Sequence, residues 1–400
     1  MESSNIPQQE TEIPATRQFR RGRLTWASYW MLGYFAYLEA VLGPLMPFLR
    51  SDLRLSYTIA SLHFSAFACG AVVMGATGDR LTQRWGRRAS FWAGALGMAA
   101  GAMMVALSPM AVGTIAGAFL MGLLGDLLLI TIQAALADFH GLWSSVALTE
   151  ANVAASGFAI LAAVSVGIIT GAGLGWRLAV LPALTVLALA GARFWSLRFP
   201  AATPKPSTGG AEAARSAKLP WRYWVLWSLI AVETGLEWCI VYWGASFLAT
   251  WVGFPRADAA TSMGLFFLAM LVGRFAGSRL SRALPGLALV MASLLIALGG
   301  FLLFWLAPLP LVRLTGLFLL GLGLANIYPL GVALAAGTAP GQADQANARL
   351  AIAGGLSALA APAVLGALAD AIGIGSAFGI VIPMLLLALL IAWAASRARD

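Results

Sequence analysis

Long apolar runs alternate with short polar or Gly/Pro-containing joints along almost the whole chain. Runs of about 20 residues can cross a bilayer as α-helices, and these runs lack the period-two alternation of barrel strands. Because backbone groups in lipid must bond within the protein, helices are expected. The pattern predicts an all-α membrane protein with twelve transmembrane helices. The predicted spans one to twelve cover residues 25–48, 57–78, 89–108, 110–136, 146–172, 178–197, 222–249, 259–279, 286–306, 309–336, 347–369 and 376–395.

The composition supports a membrane protein. The chain of 400 residues is 60% hydrophobic and only 10% charged, whereas soluble domains are about 45–50% apolar and about 25% charged. The first 23 residues are polar, so no cleavable signal peptide is predicted. We expect an integral multi-pass protein of the inner or plasma membrane.

One long polar segment divides the spans six and six. Residues 198–220 are rich in Pro, Ala, Ser and Gly, a composition typical of flexible linkers. The predicted organisation is an N-terminal tail, a six-helix bundle, a linker, a second six-helix bundle and a C-terminal tail, over residues 1–23, 24–197, 198–220, 221–396 and 397–400.

The positions of Lys and Arg predict the orientation. If the N-terminus is cytoplasmic, the cytoplasmic side carries 18 Lys and Arg residues and the other face carries five, namely Arg50, Arg54, Arg177, Arg256 and Arg313. Lys and Arg favour the cytoplasmic side, so both termini are expected there. The net charge of +9 is thus explained by topology. Basic residues scattered over separate loops do not indicate nucleic-acid binding.

The segment from Gly75 to Arg88 concentrates charge between spans two and three. Its sequence, GATGDRLTQRWGRR, carries an acid and several arginines within a chain that is otherwise poor in charge. We predict a cytoplasmic loop of about ten residues here, bounded by the apolar runs on either side.

The two halves share weak sequence similarity in matching order. Glu150-Ala-Asn152 near the start of span five corresponds to Gln345-Ala-Asn347 at the start of span eleven, and Gly122 to Asp126 in span four corresponds to Gly321 to Asn326 in span ten. Chance similarity between helices rich in Ala, Gly and Leu is the alternative. Repeated halves around a midplane site are typical of secondary transporters.

The loop segment and the division of spans resemble the major facilitator superfamily over essentially the whole chain. The family signature is Gly-x-x-x-Asp-Arg-x-Gly-Arg-Arg. This chain matches it in order with Gly75, Asp79, Arg80, Gly86, Arg87 and Arg88, but it has extra residues between Arg80 and Gly86. The resemblance implies two pseudo-symmetric six-helix bundles, alternating access and a monomer. It also implies that helix two packs on helix eleven, and helix five on helix eight.

The resemblance suggests ion pairs that close the cytoplasmic end. Asp79 is expected to meet Arg349 or the N-terminus of span eleven. Glu150 is expected to meet Arg274 or Arg279. A gating role is also predicted for Arg80, Arg87 and Arg88; the alternative for the loop arginines is that they only fix topology.

Four acids inside predicted spans are candidates for proton coupling. Glu39 lies about 21 Å and Asp126 about 15 Å along their helices from the cytoplasmic ends, so both are expected to face one cavity. Glu233 and Glu237 are four residues apart and share a helix face. Charge is costly in the bilayer, and desolvation favours the protonated acid. The alternative is a neutral, hydrogen-bonded structural role.

Aromatic and amide side chains beside these acids are candidates for binding substrate. Trp238 and Tyr242 form an aromatic stripe next to the acids of span seven, although packing is an equal alternative for the tryptophan. A proline-disrupted turn in span ten is expected to expose Asn326, Tyr328 and backbone carbonyls. Asn152 and Asn347 occupy matching repeat positions and are expected either to bind substrate or to join helices.

These features favour proton-linked import of a small neutral or cationic organic solute. The interior is predicted to be acid-rich without a central cation, which disfavours anions. Proton-coupled efflux of drugs or organic cations is the alternative, weakened by the absence of a Gly-Pro motif in span five. The chain lacks a phosphate-binding loop and any recognisable catalytic or metal motif, so no enzyme, cofactor or metal is predicted. A receptor or scaffold remains open.

Overall fold

The computed structural model describes residues 19–200, 219–339 and 342–397, and this part of the chain is almost entirely α-helical. The first half contains α1 (Arg23–Leu53), α2 (Tyr57–Trp85), α3 (Arg87–Leu107), α4 (Ala111–His140), α5 (Ser144–Gly171) and α6 (Leu181–Phe194). The second half contains α7 (Trp221–Phe247), α8 (Arg256–Leu280), α9 (Gly286–Leu306), α10 (Pro310–Leu324), α11 (Ile327–Gly337), α12 (Ala343–Ile372) and α13 (Val381–Arg397).

Eleven helical stretches of the described chain are long and apolar enough to cross a membrane. One of them, Ala111–Gly171, contains two helices, α4 and α5, which are joined by the short 3-10 turn Gly141–Trp143. The protein is therefore an integral multi-pass membrane protein. Residues 1–18 of the predicted tail 1–23, most of the linker (201–218) and the last three residues lie outside the described residues.

The prediction of a loop between spans two and three is wrong. Helix α2 continues through the charged segment to Trp85, and α3 begins at Arg87. Gly86 alone separates the two helices, with φ +80°, a conformation that glycine adopts without steric cost. Water-exposed arginines are good helix formers, so the charges indicated exposure of this segment and not the end of the helix.

Span ten is interrupted, as its sequence predicts. Helix α10 ends at Leu324 and α11 begins at Ile327, with Ala325 and Asn326 between them. Pro329 has no N–H to donate to the carbonyl of Ala325, and its ring crowds that carbonyl. This chemistry explains why the break lies just before the proline.

The helices make matched contacts in the two halves of the chain. In the first half α1 contacts α5 and α6, and α4 contacts α2 and α3; in the second, α7 contacts α12 and α13, and α10 contacts α8 and α9. Four pairs join the halves: α2 with α12, α5 with α8, α1 with α7, and α1 with α8. The first two are the pairs that the family resemblance implied.

Hydrogen bonds join the two halves at one end of the molecule, called here the Arg54 end because it contains residues 54–56 between α1 and α2. The carboxylate of Asp370 accepts hydrogen bonds from the backbone N–H groups of Tyr57 (2.7 Å) and Thr58 (2.8 Å). Deeper in the interface, Ser65 Oγ donates to the carbonyl of Leu359 at 2.9 Å. The N-terminus of α2 is therefore capped by a residue of α12.

At the opposite end, called the Gly86 end, the facing residues of the same helices are exposed. Asp79 lies seven residues beyond Val72, which faces Gly355 of α12, and Asp79 is exposed. Arg274 of α8 and Asn152 of α5 are also exposed. The protein thus has a closed Arg54 end and accessible inner faces at the Gly86 end.

Candidate functional site

In the interior, Glu39 lies within electrostatic range of an acid on each of two other helices. The carboxylate of Glu39 on α1 interacts electrostatically with Asp126 of α4 and Glu237 of α7. All three side chains are half-buried. Membrane interiors contain few such acids, and those present usually mark a functional path. The sequence predicted that Glu39 and Asp126 face one space, and the structure brings both together with Glu237.

Glu233 lies one turn before Glu237 and is completely buried. Neither of its carboxylate oxygens has a hydrogen-bond partner of good geometry. Arg274 of α8 interacts electrostatically with both Glu233 and Glu237. The sequence predicted an acid-rich interior without a central cation, whereas Arg274 is a cation near these two acids.

An aromatic stack lies directly beside the acids. The ring of Tyr242 is sandwiched between Phe64 of α2, at 4.0 Å between ring centroids, and Trp238, at 4.8 Å. Tyr242 is buried, whereas Trp238 is half-buried. Tyr242 also interacts electrostatically with Glu39 and Glu237. The stack therefore forms a wall next to the acids, with Trp238 as its accessible member.

The other predicted substrate-binding residues divide into two groups. Tyr328 is exposed and interacts electrostatically with Glu233 and Glu237, so it belongs with the acids. Asn326 is buried and donates to the carbonyl of Gly273 at 2.8 Å, which joins α8 to the break in span ten. Asn152 donates within its own helix to the carbonyl of Leu148. Asn347 lies in α12, with its side chain outside the described residues.

The predicted gating residues of the α2–α3 junction contact their own half. Arg87 is buried and forms an ion pair with Asp138 at the end of α4. Arg88 donates to the carbonyl of Trp195 at 2.8 Å. Asp79 and Arg80 are exposed. These contacts show how Arg87 and Arg88 hold the junction against neighbouring helices, and they do not involve the second half.

Glu150 is paired with Arg21, which lies just before α1, and not with α8. Its carboxylate accepts from Arg21 Nε at 2.8 Å and from Tyr29 Oη at 2.9 Å. The hydrogen bond to Glu150 raises the pKa of Arg21 above its ordinary value, so the arginine remains charged. The expected pairs of Glu150 with Arg274 and Arg279 are not formed in this conformation, in which Arg21 and Tyr29 contact its carboxylate.

Arg349 likewise lies apart from its expected partner. Its guanidinium lies over the ring of Trp224 at 5.2 Å, and its carbonyl accepts from Trp227 Nε1 at 2.9 Å. Asp79 is exposed. The predicted pair of Asp79 and Arg349 is therefore absent in the conformation described.

Sequence reasoning missed three contributors to these contacts. Arg21 was interpreted only as a topology signal, although a basic residue just before a membrane helix can also form an ion pair with an acid. Phe64 gave no signal, because an aromatic residue in an apolar helix does not reveal which face it occupies. Asp370, just after the predicted span eleven, did carry a signal, because a carboxylate can accept hydrogen bonds from the free N–H groups at the N-terminus of a helix.

The chain matches a protein family from residue 25 to its last residue. The sequence model of the Major Facilitator Superfamily matches residues 25–325 and 253–400. An uncharacterised MFS-type transporter of Yersinia pestis is 28% identical over 144 residues. That match covers 36% of this chain and spans only 38% of the relative's length.

Solved transporter structures share the fold. A bacterial homologue of the human lysosomal transporter Spinster, in an inward-facing and unoccupied conformation, aligns with a TM-score of 0.77 at 14% identity over 94% of this chain and 96% of its own. A mutant of the nucleoside transporter NupG gives 0.78 at 12% identity over 93% and 99%. A mutant of the peptide transporter POT in complex with sulfate gives 0.68 at 15% identity over 93% and 95%.

Proposed function

The chain belongs to the major facilitator superfamily, and from this premise we propose that it is a proton-coupled secondary transporter that imports a small neutral or cationic organic solute by alternating access. Family membership and solved transporters of the same fold support secondary transport.

The observation that carries the proposal is the group formed by Glu39, Asp126 and Glu237. Three ionised carboxylates in a space of low dielectric repel each other and lose hydration, so the protonated form of at least one is favoured. A conformational change that alters hydration alters this preference. The group can therefore bind a proton in one conformation and release it in another.

The same surroundings favour a neutral or cationic solute. Trp238 and Tyr328 are accessible aromatic side chains beside the acids, and aromatic faces bind sugar-like rings and organic cations. Arg274 balances part of the negative charge of Glu233 and Glu237. With Glu39 and Asp126 in addition, the acids outnumber this cation, which disfavours anionic solutes.

The proposal includes twelve membrane crossings, both termini in the cytoplasm, and location in the inner or plasma membrane as a monomer. Helices α4 and α5 have 30 and 28 residues, and each alone is long enough for one crossing. The matched contacts of the two halves support bundles over 24–197 and 221–396. The excess of Lys and Arg supports the orientation.

In this orientation the Gly86 end is cytoplasmic and the described conformation is accessible from the cytoplasm. Asp79, Glu150, Arg274, Arg279 and Arg349 are then at the open end. We propose that closing this end brings the predicted pairs together and releases Glu150 from Arg21. For Arg80, Arg87 and Arg88 we propose a supporting role at the α2–α3 junction.

The second candidate is proton-coupled efflux of organic cations. Its supporting observation is the excess of acids near Trp238. Binding experiments distinguish the candidates: we propose measuring thermal stabilisation of the purified protein by sugars, amino acids, organic cations and drugs at about pH 5.5 and about pH 7.5, because a ligand that binds the native state raises the melting temperature. Stabilisation by sugars or small metabolites supports import. Stabilisation only by lipophilic cations would replace import with efflux, and stabilisation only by anions would contradict both.

A further inference from the structure

Five described arginines lie at the Arg54 end, and two of them are bound to an acid or to the carbonyls at a helix end. Arg177 forms an ion pair with Asp52 at 2.6 Å. Arg313 donates to the carbonyls of Phe304 (3.0 Å) and Trp305 (2.8 Å), which satisfies the C-terminal carbonyls of α9. These two arginines are explained by local structure. The remaining three are Arg50, Arg54 and Arg256.

The three remaining arginines line one cavity. It has a volume of about 540 Å³ and lies between the C-terminal end of α1 and the connection from α7 to α8. Its other lining residues are Pro47, Ser51, Leu55, Ala249 and Thr250. No carboxylate is among them. The acid nearest in sequence to Arg256 is Asp258, in the first turn of α8, and it does not line the cavity.

Two of the arginines are held in place by the backbone or by a ring. Arg50 Nε donates to the carbonyl of Leu55 at 3.1 Å, and its guanidinium stacks over the ring of Tyr57 at 3.5 Å. Arg54 caps α1 with φ +51°, in the left-handed region. Helices that end this way usually place Gly or Asn at that position. An arginine here costs backbone energy, which favours a role for its side chain.

We propose that this cavity binds an oxyanion, such as inorganic phosphate or the phosphate group of an anionic lipid. Guanidinium groups bind phosphate oxygens through paired, charge-assisted hydrogen bonds, and the hydroxyls of Ser51 and Thr250 supply further donors. Three guanidinium groups without a carboxylate among the lining residues produce a positive potential that an anion neutralises.

Binding has a conformational consequence. Arg50 and Arg54 belong to the first half of the chain, whereas Arg256 begins α8 in the second. An anion held by all three ties α1 to α8 at the Arg54 end. It therefore stabilises the conformation closed at this end, whatever solute the interior carries.

The test measures the unfolding temperature of the purified full-length protein against inorganic phosphate, with chloride adjusted to keep ionic strength constant. We expect a saturable increase. Arg54→Gln and Arg256→Gln should each raise the half-saturating phosphate concentration about tenfold or more, because each removes charge-assisted hydrogen bonds. Arg282→Gln is the matched control: it removes an exposed arginine that does not line the cavity, and it should not change the response.

A second variant separates loss of binding from loss of folding. Arg54→Gly relieves the left-handed backbone, so it should raise the unfolding temperature without phosphate and still weaken the phosphate response.

A parallel titration compares phosphatidylglycerol with phosphatidylcholine in nanodiscs. A response to free phosphate identifies a soluble anion, and a response only to phosphatidylglycerol that needs Arg54 and Arg256 identifies a lipid headgroup. No response to either, or an equal loss in Arg282→Gln, overturns the site.

Discussion

At the residue scale, the central feature is the carboxylate of Glu39, which interacts electrostatically with two other carboxylates. Glu39 interacts with Asp126 and Glu237, while Glu237 also interacts with Arg274. Charge in a membrane interior costs about 2.5–3.5 kcal/mol or more for each group. In the mechanism proposed here, this cost makes the protonation of the group depend on conformation.

Replacing Glu39 by Gln tests its role in coupling. The amide keeps the shape and hydrogen-bonding capacity but cannot gain or lose a proton. We expect uphill transport in proteoliposomes to be abolished while exchange of solute across the membrane persists. Asp52→Asn is the control, since it alters only a partly exposed ion pair. Unchanged proton-driven accumulation in Glu39→Gln would remove Glu39 from the coupling mechanism.

At the scale of helices, close contact between α1 and α7 depends on Gly43. A Cβ atom added at this position would lie 2.1 Å from the carbonyl oxygen of Val241, so any larger residue forces the two helices apart. Small residues at such contacts are typical of membrane helix pairs, where packing drives association. This contact lies four residues from Glu39 and helps to position it against α7.

The substitution Gly43→Ala is therefore expected to destabilise the protein. Overpacking of this kind costs about 1–3 kcal/mol, and we expect a lower unfolding temperature together with reduced transport. Gly157→Ala is the matched control, because no atom lies within 4 Å of a Cβ at that helical position and alanine is the better helix former. Equal stability of the two variants would contradict the packing described.

The helices illustrate what the sequence could and could not predict. Apolar runs located the membrane helices, and Pro329 located the break in span ten. The end of α2 was predicted too early, because the charges from Asp79 to Arg84 indicate exposure to water and do not indicate where the helix ends. The partner of Glu150 was also missed. Partners at a moving interface depend on the conformation, which a pattern along one chain does not encode.

At the scale of the whole molecule, Asp370 is the contact that most directly joins the two halves at the Arg54 end. Its carboxylate caps α2 through two backbone N–H groups, and opening this end must break both bonds. Loss of a helix cap costs about 0.5–2 kcal/mol. The closed Arg54 end is correspondingly favoured in the conformation described.

Asp370→Ala should shift the population toward a conformation open at the Arg54 end, by about two- to thirty-fold for that loss of energy. The distance between spin labels on α2 and α12 at this end, measured by pulsed electron resonance, should increase. Asp258→Ala is the control, because this acid lies in the first turn of its own helix, α8. An unchanged distance distribution in Asp370→Ala would show that the cap does not hold this end closed.

The native cysteines provide a second measure of conformation. Cys69 is exposed on α2, four residues from Ser65 and three from Val72, whereas Cys239 is buried in α7. We expect a maleimide to label Cys69 rapidly and Cys239 only on unfolding. A ligand that closes the Gly86 end should slow labelling of Cys69. Rapid labelling of Cys239 in the folded protein would contradict the packing of α7.

The central claim is that this protein couples solute movement to protons through the acids around Glu39. The most direct measurement is accumulation, in proteoliposomes with an imposed pH gradient, of the solute that gives the largest thermal stabilisation. We predict accumulation above the external concentration that follows the sign of the gradient, collapses when a protonophore dissipates it, and is lost in Glu39→Gln but not in Asp52→Asn. Transport that only equilibrates the solute, independent of the pH gradient and of Glu39, would contradict the account.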